Sequence, residues 1–514
     1  MASDTTRPRH NARTPSSASR KLSRSSRKEE TNFMWRMPLQ CLIHWLQPKD
    51  VLRCSLVCKA WKAALAVYYW QSVHSVNFGP RTWRTVQLPQ IRSVLRLSPH
   101  LLHVILDYRT VHACPYGSCN VNVYDMLQLV RNLPRTLKTL SLRNWALEPR
   151  LEPLSDDKRG GLVGHWQPSG LTLREQFKDR ATFKNFTLAV LELLGAISSL
   201  PELQTVCLPS NLVPFHCSSS CQPTPRDLLK LVNGVAELLN KHPHPLLHLQ
   251  TSIFCDQLAT LVPAELQVLR IDNVTPSYLS DAGLKSLSGR CPLLRELWAT
   301  EFPLTTSAVT GLVKACPSLE VLCVEPQCQT PPLATTSSLL AALAALPNLQ
   351  FLSLSGWRME DGPEPVAECI GRLTRLQALA LANIQPEVNC DSIVQAAAEH
   401  CPGLTALQLC YVHISAASWR ALGQAGRLRY LRAEHFQTDP SSFQSEQGSE
   451  EAFWLLLKGE LHGRGAMRRY DEFVDMWHST HLTTYSAQEE TPWAPAGSRS
   501  PNDVGNSNVE KEKE

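Results

Sequence analysis

Apolar residues recur in one spacing along most of the chain. The unit is Leu-x-x-Leu-x-Leu, found in Leu137-Leu140-Leu142, Leu203-Val206-Leu208, Leu266-Leu269-Ile271, Leu319-Leu322-Val324, Leu349-Leu352-Leu354, Leu376-Leu379-Leu381 and Leu404-Leu407-Leu409. Leu294-Leu297-Ala299 and Leu428-Leu431-Ala433 are weaker copies, and Leu101-Val104-Leu106 is a candidate first one. Side chains of x-Leu-x-Leu-x alternate between two faces, so the pattern predicts a short strand with its leucines on one side. Between copies the period changes. Leu284 and Leu287 stand three apart and Ile393 and Ala397 four apart, which places each pair on one helical stripe. Asp281-Ala282-Gly283-Leu284 opens one such helix, with Ser280 or Asp281 as its cap. One strand with one helix cannot bury its own apolar face, so the copies must stack. The expected fold is α/β, with short parallel strands alternating with helices.

Copies starting at 266, 294, 319, 349, 376, 404 and 428 are separated by 28, 25, 30, 27, 28 and 24 residues. Leucine-rich repeats run to about 20–29 residues, so the spacing predicts a leucine-rich-repeat solenoid over residues 95–440. The earlier intervals, 101 to 137, 137 to 203 and 203 to 266, are longer. Each predicts a degenerate copy plus an insertion. Pro149, Pro153, Gly160, Gly161, Gly164, Pro168 and Gly170 mark one inserted loop near 148–170, and Pro214, Pro223 and Pro225 another near 214–225. The entry to each strand repeats too. Cys291-Pro292, Cys316-Pro317 and Cys401-Pro402 place Cys three residues before the first motif leucine, where Leu346-Pro347 and Leu200-Pro201 place Leu. Cys exchanging with Leu indicates a buried apolar slot, and the proline stops the helix. This junction resembles the cysteine-containing class of leucine-rich repeats, common in F-box proteins.

Residues 33–75 form a separate Trp-rich, helix-patterned module. Leu46, Pro48, Asp50, Leu52, Val57, Cys58 and Trp61 carry a resemblance to the second half of the F-box, and Tyr69-Trp70 resembles the Leu-Trp that often closes it. The opening departs from the family: Met37-Pro38 stands nine residues before Leu46, where a Leu-Pro usually stands twelve before. The resemblance implies that Pro38, Leu46, Pro48, Asp50, Leu52, Leu56, Val57, Cys58 and Trp61 bind a Skp-type adaptor. Through it the chain would reach a cullin and a RING subunit, while the repeats hold a protein substrate of unknown identity. The residues themselves point the same way. Asp50 can cap a helix beginning near Val51, and Leu52, Leu56, Val57, Cys58 and Trp61 offer more apolar surface than a module of about 40 residues can hide. Two other readings stay open: these residues pack on the first repeat as a cap, or the chain is a repeat scaffold outside any ligase.

In a solenoid the x residues line the concave face. Arg143, Arg270, Asp272, Trp298, Thr300, Glu325, Gln408, Tyr430, Arg432 and Glu434 are the candidate substrate contacts, with Cys323, Ser353 and Ser355 beside them. Trp298 and Tyr430 are aromatic anchors of the kind enriched in binding hot spots. The mixed charges do not make a groove for a polyanion.

Composition changes the picture in two places. Of 514 residues, 51 are Lys or Arg and 46 Asp or Glu, a formal charge of +5. Residues 1–28 alone carry +7, leaving −2 for the rest, so the body has no electrostatic case for nucleic acid. Residues 1–32 are expected to be a disordered basic tail, either solubilising only or carrying a nuclear-localisation or phosphorylation segment at the cluster from Arg20-Lys21 to Arg27-Lys28. Residues 485–514 are expected to be a second disordered tail. Phe453, Trp454, Leu456, Leu457, Leu461, Tyr470, Phe473, Val474 and Trp477 predict short amphipathic helices over 450–480 that cap the last repeat. The 17 cysteines are an odd number without an apolar export signal, which predicts reduced thiols and a location in the cytoplasm, the nucleus or both. His112-x-Cys114-x4-Cys119 and His216-Cys217-x3-Cys221 offer candidate zinc ligands, but a joint site needs the two loops to meet, and the residues read as incidental loop and core thiols, so no metal or cofactor is expected. No apolar run reaches the roughly 20 residues of a membrane span, and no nucleophile, phosphate-loop or metalloprotease motif is present. The expectation is a non-catalytic protein-binding chain.

Overall fold

The computed structural model describes residues 51, 54, 59–71, 73–77, 88–106, 119–143, 145–148, 180–209, 212, 224–271, 279–326, 333–384, 388–415, 418, 421–422, 428–434 and 468–469. The chain divides into two compact units. One is Met1–His244 with Gln250–Phe254 and Asp272–Pro276; the other is Pro245–Leu249, Cys255–Ile271 and Ser277–Glu514.

The first unit contains α1 (Lys59–Tyr68), β1 (Ser75–Asn77), α2 (Leu88–Leu97), β2 (His103–Ile105), β3 (Cys119–Asn122), α3 (Val123–Arg131), β4 (Thr139–Ser141), β5 (Trp145–Glu148), α4 (Arg180–Ser198), β6 (Thr205–Cys207) and α5 (Pro225–Lys241). Strands β1, β2, β4 and β6 pair in parallel, with Val76, Val104, Leu140 and Val206 in one row. Three of those four are the second apolar position of a motif copy, and all four are buried. β2 pairs directly with β4, and β4 with β6. The intervals 101 to 137 and 137 to 203 therefore place no extra strand between them, contrary to the expectation of a degenerate copy in each. β3 and β5 instead form a separate two-stranded parallel sheet. Helix α5 starts on a reciprocal cap: the Asp227 N–H donates to Thr224 Oγ1 at 3.2 Å, and the Thr224 N–H donates to Asp227 Oδ2 at 3.4 Å. Its apolar stripe, Leu231, Val232, Val235, Ala236, Leu238 and Leu239, is buried. Gly234 lets α5 close on α4, since a Cβ there would meet Leu191 Cδ2 at 2.8 Å.

Strand β7 (His248–Thr251) fills the interval 203 to 266, where a hidden copy was expected. Leu246 and Leu249 occupy the first two motif slots and are buried. The third slot holds Thr251, whose polarity conceals the copy. Burial is tolerated because its hydroxyl accepts the Ile253 N–H at 3.1 Å.

The second unit continues with α6 (Asp256–Ala259), β8 (Val268–Ile271), α7 (Asp281–Arg290), β9 (Glu296–Phe302), α8 (Thr306–Ala315), β10 (Val321–Pro326), α9 (Ser337–Ala344), β11 (Phe351–Ser353), α10 (Glu364–Arg372), β12 (Ala378–Ala382), α11 (Asp391–His400), β13 (Ala406–Cys410), β14 (Tyr430–Glu434) and β15 (Arg468–Arg469). Each strand from β8 to β14 pairs in parallel with the next. The second motif leucines fall in one row: Leu269, Leu297, Leu322, Leu352, Leu379, Leu407 and Leu431. Burying such a side chain contributes roughly 1.5–3 kcal/mol, and stacking like on like repeats that gain at every strand. This is a leucine-rich-repeat solenoid of alternating parallel strands and helices.

Two polar ladders tie successive repeats together. The junction cysteines form one. Cys291 Sγ donates to the Pro263 carbonyl at 3.4 Å, Cys316 Sγ to the Cys291 carbonyl at 3.4 Å, and Cys401 Sγ to the Leu373 carbonyl at 3.5 Å. The slot takes a buried apolar group, Leu or Cys, and a thiol there also satisfies a carbonyl of the preceding repeat. Helix-start aspartates form the other. Asp256 accepts the Ser280 N–H at 2.7 Å and hydroxyl at 2.6 Å, and Asp281 accepts the Thr305 N–H at 2.9 Å and hydroxyl at 2.6 Å. Asp391 accepts the Ser415 N–H at 2.7 Å and the Ser418 hydroxyl at 2.5 Å. Of the two cap candidates at α7, Ser280 is the cap, accepting the Ala282 N–H at 3.2 Å. Asp281 serves the following repeat.

Burial alone would raise the Asp391 carboxyl. Hydrogen bonds from Ser418, Ser415 and Asn389 outweigh it and hold the group below its usual range. Because the folded value is depressed, its stabilisation is complete above the unfolded value and is lost as pH falls through the folded one. Asp391→Ala is expected to lower stability by about 1 kcal/mol near neutral pH. In urea titrations the gap to wild type should shrink below about pH 4; a gap independent of pH would contradict the assignment.

Candidate functional site

On strands β8 to β14 the leucines face one way and the x residues the other, and the register sorts the x residues into three rows. The first runs Val268, Glu296, Val321, Phe351, Ala378, Ala406, Tyr430. The second runs Arg270, Trp298, Cys323, Ser353, Ala380, Gln408, Arg432. The third holds Glu325 beside Thr300, and Ala382, Cys410 and Glu434 in line. The first row is apolar except for Glu296. The second has an arginine at each end, six strand spacings apart, or about 29 Å.

Aromatic packing organises one end of this face. The Trp298 and Phe351 ring centroids lie 4.6 Å apart, arching over the intervening strand β10. The Arg270 guanidinium sits 4.9 Å from the centre of the Trp298 ring, a cation–π contact. Trp298 Nε1 donates to Glu296 Oε2 at 3.3 Å. Below, Ser353 Oγ donates to Ser355 Oγ at 3.0 Å and lies 3.4 Å from Glu325 Oε1. Glu320 at the strand entry is fixed by Arg295, whose Nε donates to Glu320 Oε1 at 2.8 Å.

The sequence-predicted residues distribute as follows. Arg270, Thr300, Glu325, Gln408 and Arg432 are half-buried on this face. Trp298 and Tyr430, expected as accessible anchors, are each only 6% exposed. They join Val321, Cys323, Phe351, Ala378, Ala380 and Ala406 in one buried apolar cluster. Sequence alternation marked every other residue as outward-facing, but it carries no information on what lies over that face. Glu434 stands on β14, while Asp272 lies outside the described residues. Arg143, in the first unit, follows β4 and is 2% exposed. Phe351, Ala378, Ala380 and Ala406 were not singled out from the sequence. Their signal was available: apolar residues at x positions of consecutive copies.

Of the predicted adaptor-binding residues, Trp61 is described. It stands on α1, half-buried, with Lys59, Lys62 and Ala63 exposed on the same helix. Leu65 and Trp70 are fully buried, and Tyr69 meets Trp70 edge-on at 4.9 Å. Pro38, Leu46, Pro48, Asp50, Leu52, Leu56, Val57 and Cys58 lie outside the described residues, as do the tails at 1–32 and 485–514 and, apart from Arg468 and Arg469, the segment 450–480.

No protein-family profile matches the chain, and no curated protein matches it. Among solved structures, one from a yeast Rad7 and Elc1 complex is similar over 85% of this chain and 97% of its own, at 16% identity and a TM-score of 0.45. An internalin from Listeria monocytogenes is similar over 76% of this chain and 89% of its own, at 12% identity and a TM-score of 0.31.

Among the described residues no cluster of His, Cys, Asp or Glu could hold a metal ion, and no helix is long and apolar enough to cross a membrane. His112, Cys114, His216, Cys217 and Cys221 lie outside the described residues. Burial pushes the thiols of Cys291, Cys369 and Cys390 up to about 12, and those of Cys316 and Cys401 up to about 11. A protonated, buried thiol is neither a nucleophile nor a ready ligand. In the folded protein at about pH 8 these five cysteines should alkylate at least about tenfold more slowly than in denaturant. Peptide-level mass spectrometry checks this, and labelling of Cys291 at the rate of a free thiol would contradict it.

Proposed function

We propose that this chain is the substrate-recognition subunit of a Skp-cullin-F-box ubiquitin ligase. The observation that carries the proposal is the signature from Leu46 to Trp61 standing directly before a leucine-rich-repeat array. The module around Trp61 would hold the Skp-type adaptor, and through it a cullin and RING subunit. The repeats would hold a target protein. The chain performs no bond chemistry. Its contribution is proximity: a target lysine held near a charged ubiquitin-conjugating enzyme gains effective concentration. The surface supports this division of labour, because a face graded from apolar to polar between two arginines suits a protein segment. The site of action is the cytoplasm, the nucleus or both.

Co-purification with a Skp-type adaptor tests the proposal. Wild type should recover the adaptor, and the double variant Leu52→Asp, Trp61→Ala should lose at least about tenfold, as expected when anchors in a docked apolar face are removed. Equal recovery by both proteins, or by neither, would discard the ligase assignment in favour of a repeat scaffold acting without it.

A further inference from the structure

The chain leaves three successive strands of the second unit through one backbone conformation. Gly356 after β11, Asn383 after β12 and Tyr411 after β13 are equivalent in the strand register, and their φ angles are 75°, 53° and 54°. The bend turns the chain off the sheet while keeping a bond to the next repeat. The Gly356 N–H donates to the Ala382 carbonyl at 2.7 Å, and the Asn383 N–H to the Cys410 carbonyl at 2.9 Å. Glycine adopts this left-handed region freely, and asparagine tolerates it. At Gly356 a Cβ would also press on Pro326 Cγ at 3.1 Å. Tyrosine is the odd member of the series. In this conformation its Cβ crowds the following carbonyl oxygen, at a cost to the folded state.

Burial of the ring does little to offset that cost. Tyr411 is 53% exposed, whereas Trp298, Phe351 and Tyr430 on the strands are 6% exposed or less. A single exposed aromatic is ordinary, and so is a left-handed residue in an exposed turn when it is Gly or Asn. Both properties in one tyrosine are not. Backbone strain in a residue that adds little to the core is found where a ligand or partner is held.

We infer that Tyr411 is the anchor of a protein-binding rim along the strand exits, and that the rim takes an extended, uncharged segment of a partner protein. The left-handed backbone fixes the direction of the Cα–Cβ bond, so the ring is presented with little freedom left to lose. Tyrosine is also the rigid, amphipathic side chain that binding surfaces favour. Asn383 is exposed one strand spacing away, about 4.8 Å. Its amide can both donate to and accept from a peptide backbone. Charge selects the occupant. Beside Tyr411 the rim presents Asn383, Val388, Asn389, His413 and Ser415, all half-buried or exposed, with no carboxylate, Lys or Arg among them. The Asp391 carboxylate is taken by the Ser415 N–H, the Ser418 hydroxyl and the Asn389 amide. The flanking charges, Arg358 beyond Gly356 and Glu434 on β14, are of opposite sign. Such a rim offers no net attraction to a phosphate chain or a polybasic segment. It suits a peptide whose backbone meets the amide and whose aliphatic or proline side chain lies on the ring.

The inference does not rest on the ligase assignment, because a ligase target and a scaffold partner would meet the same rim.

The test uses the full-length protein with Tyr411→Asn and Tyr411→Phe. The probe is a library of linear peptides displayed on phage and selected on wild type, with each enriched sequence then measured on all three proteins. Enriched sequences should be uncharged, bind Tyr411→Asn at least about tenfold more weakly than wild type, and bind Tyr411→Phe as wild type. Tyr411→Asn should also raise Tm by about 2–4 °C, because asparagine fits the left-handed slot. A selection that enriches nothing, or only sequences that bind Tyr411→Asn as tightly as wild type, would overturn the inference. Charged sequences whose binding fades with added salt would overturn the choice of occupant. A Tm not raised by Tyr411→Asn would assign the ring to the packing of the fold and overturn the inference equally.

Discussion

Everything in the repeat units depends on parallel strands being held in a register that sets each second motif leucine beside its equivalent in the next copy. From Leu269 to Leu431 the row is unbroken. A shift by one residue would turn every leucine toward the opposite face. The register also decides what the other face can be, because the x residues are carried passively into rows. Glu296, Trp298 and Phe351 meet as they do because the leucines between them are fixed.

The strand rows were legible in the sequence because apolar period two is a strong signal, and the junctions were legible because Cys and Leu exchange in one slot. Other features were concealed for identifiable reasons. Thr251 replaces an apolar residue in β7 and is satisfied by a local hydrogen bond, so the copy reads as polar. The long intervals between 101 and 203 looked like hidden repeats but hold a separate two-stranded sheet, β3 with β5, whose pairing no local pattern announces. The aspartate ladder was half visible. Asp281 was readable as part of a helix start, but its partner Thr305 belongs to the next repeat, and pattern reading within one repeat cannot find it.

The candidate site was legible as a list and not as a surface. Alternation identified Trp298 and Tyr430 as facing away from the leucines, and the register places them so. Their burial is a property of the third dimension: Trp298 packs on the Phe351 ring reaching across a strand, and both residues belong to one buried cluster. Row by row the face passes from Val268, Val321 and Phe351 to the arginine-ended second row, then to Glu325 and its neighbours. Such a gradient gives a docked segment a defined orientation, with an apolar side and a polar side, in addition to affinity.

The aspartate ladder gives the array a phase lag. The carboxylate that begins one helix belongs chemically to the cap of the following helix, 24 residues along the chain for both Asp256 with Ser280 and Asp281 with Thr305. Repeats as written in the sequence and repeats as cooperative units therefore do not share boundaries. Damage at a helix start in one copy will surface as fraying in its downstream neighbour, and a graft that swaps a single copy will sever a bond at both seams even when its leucines match.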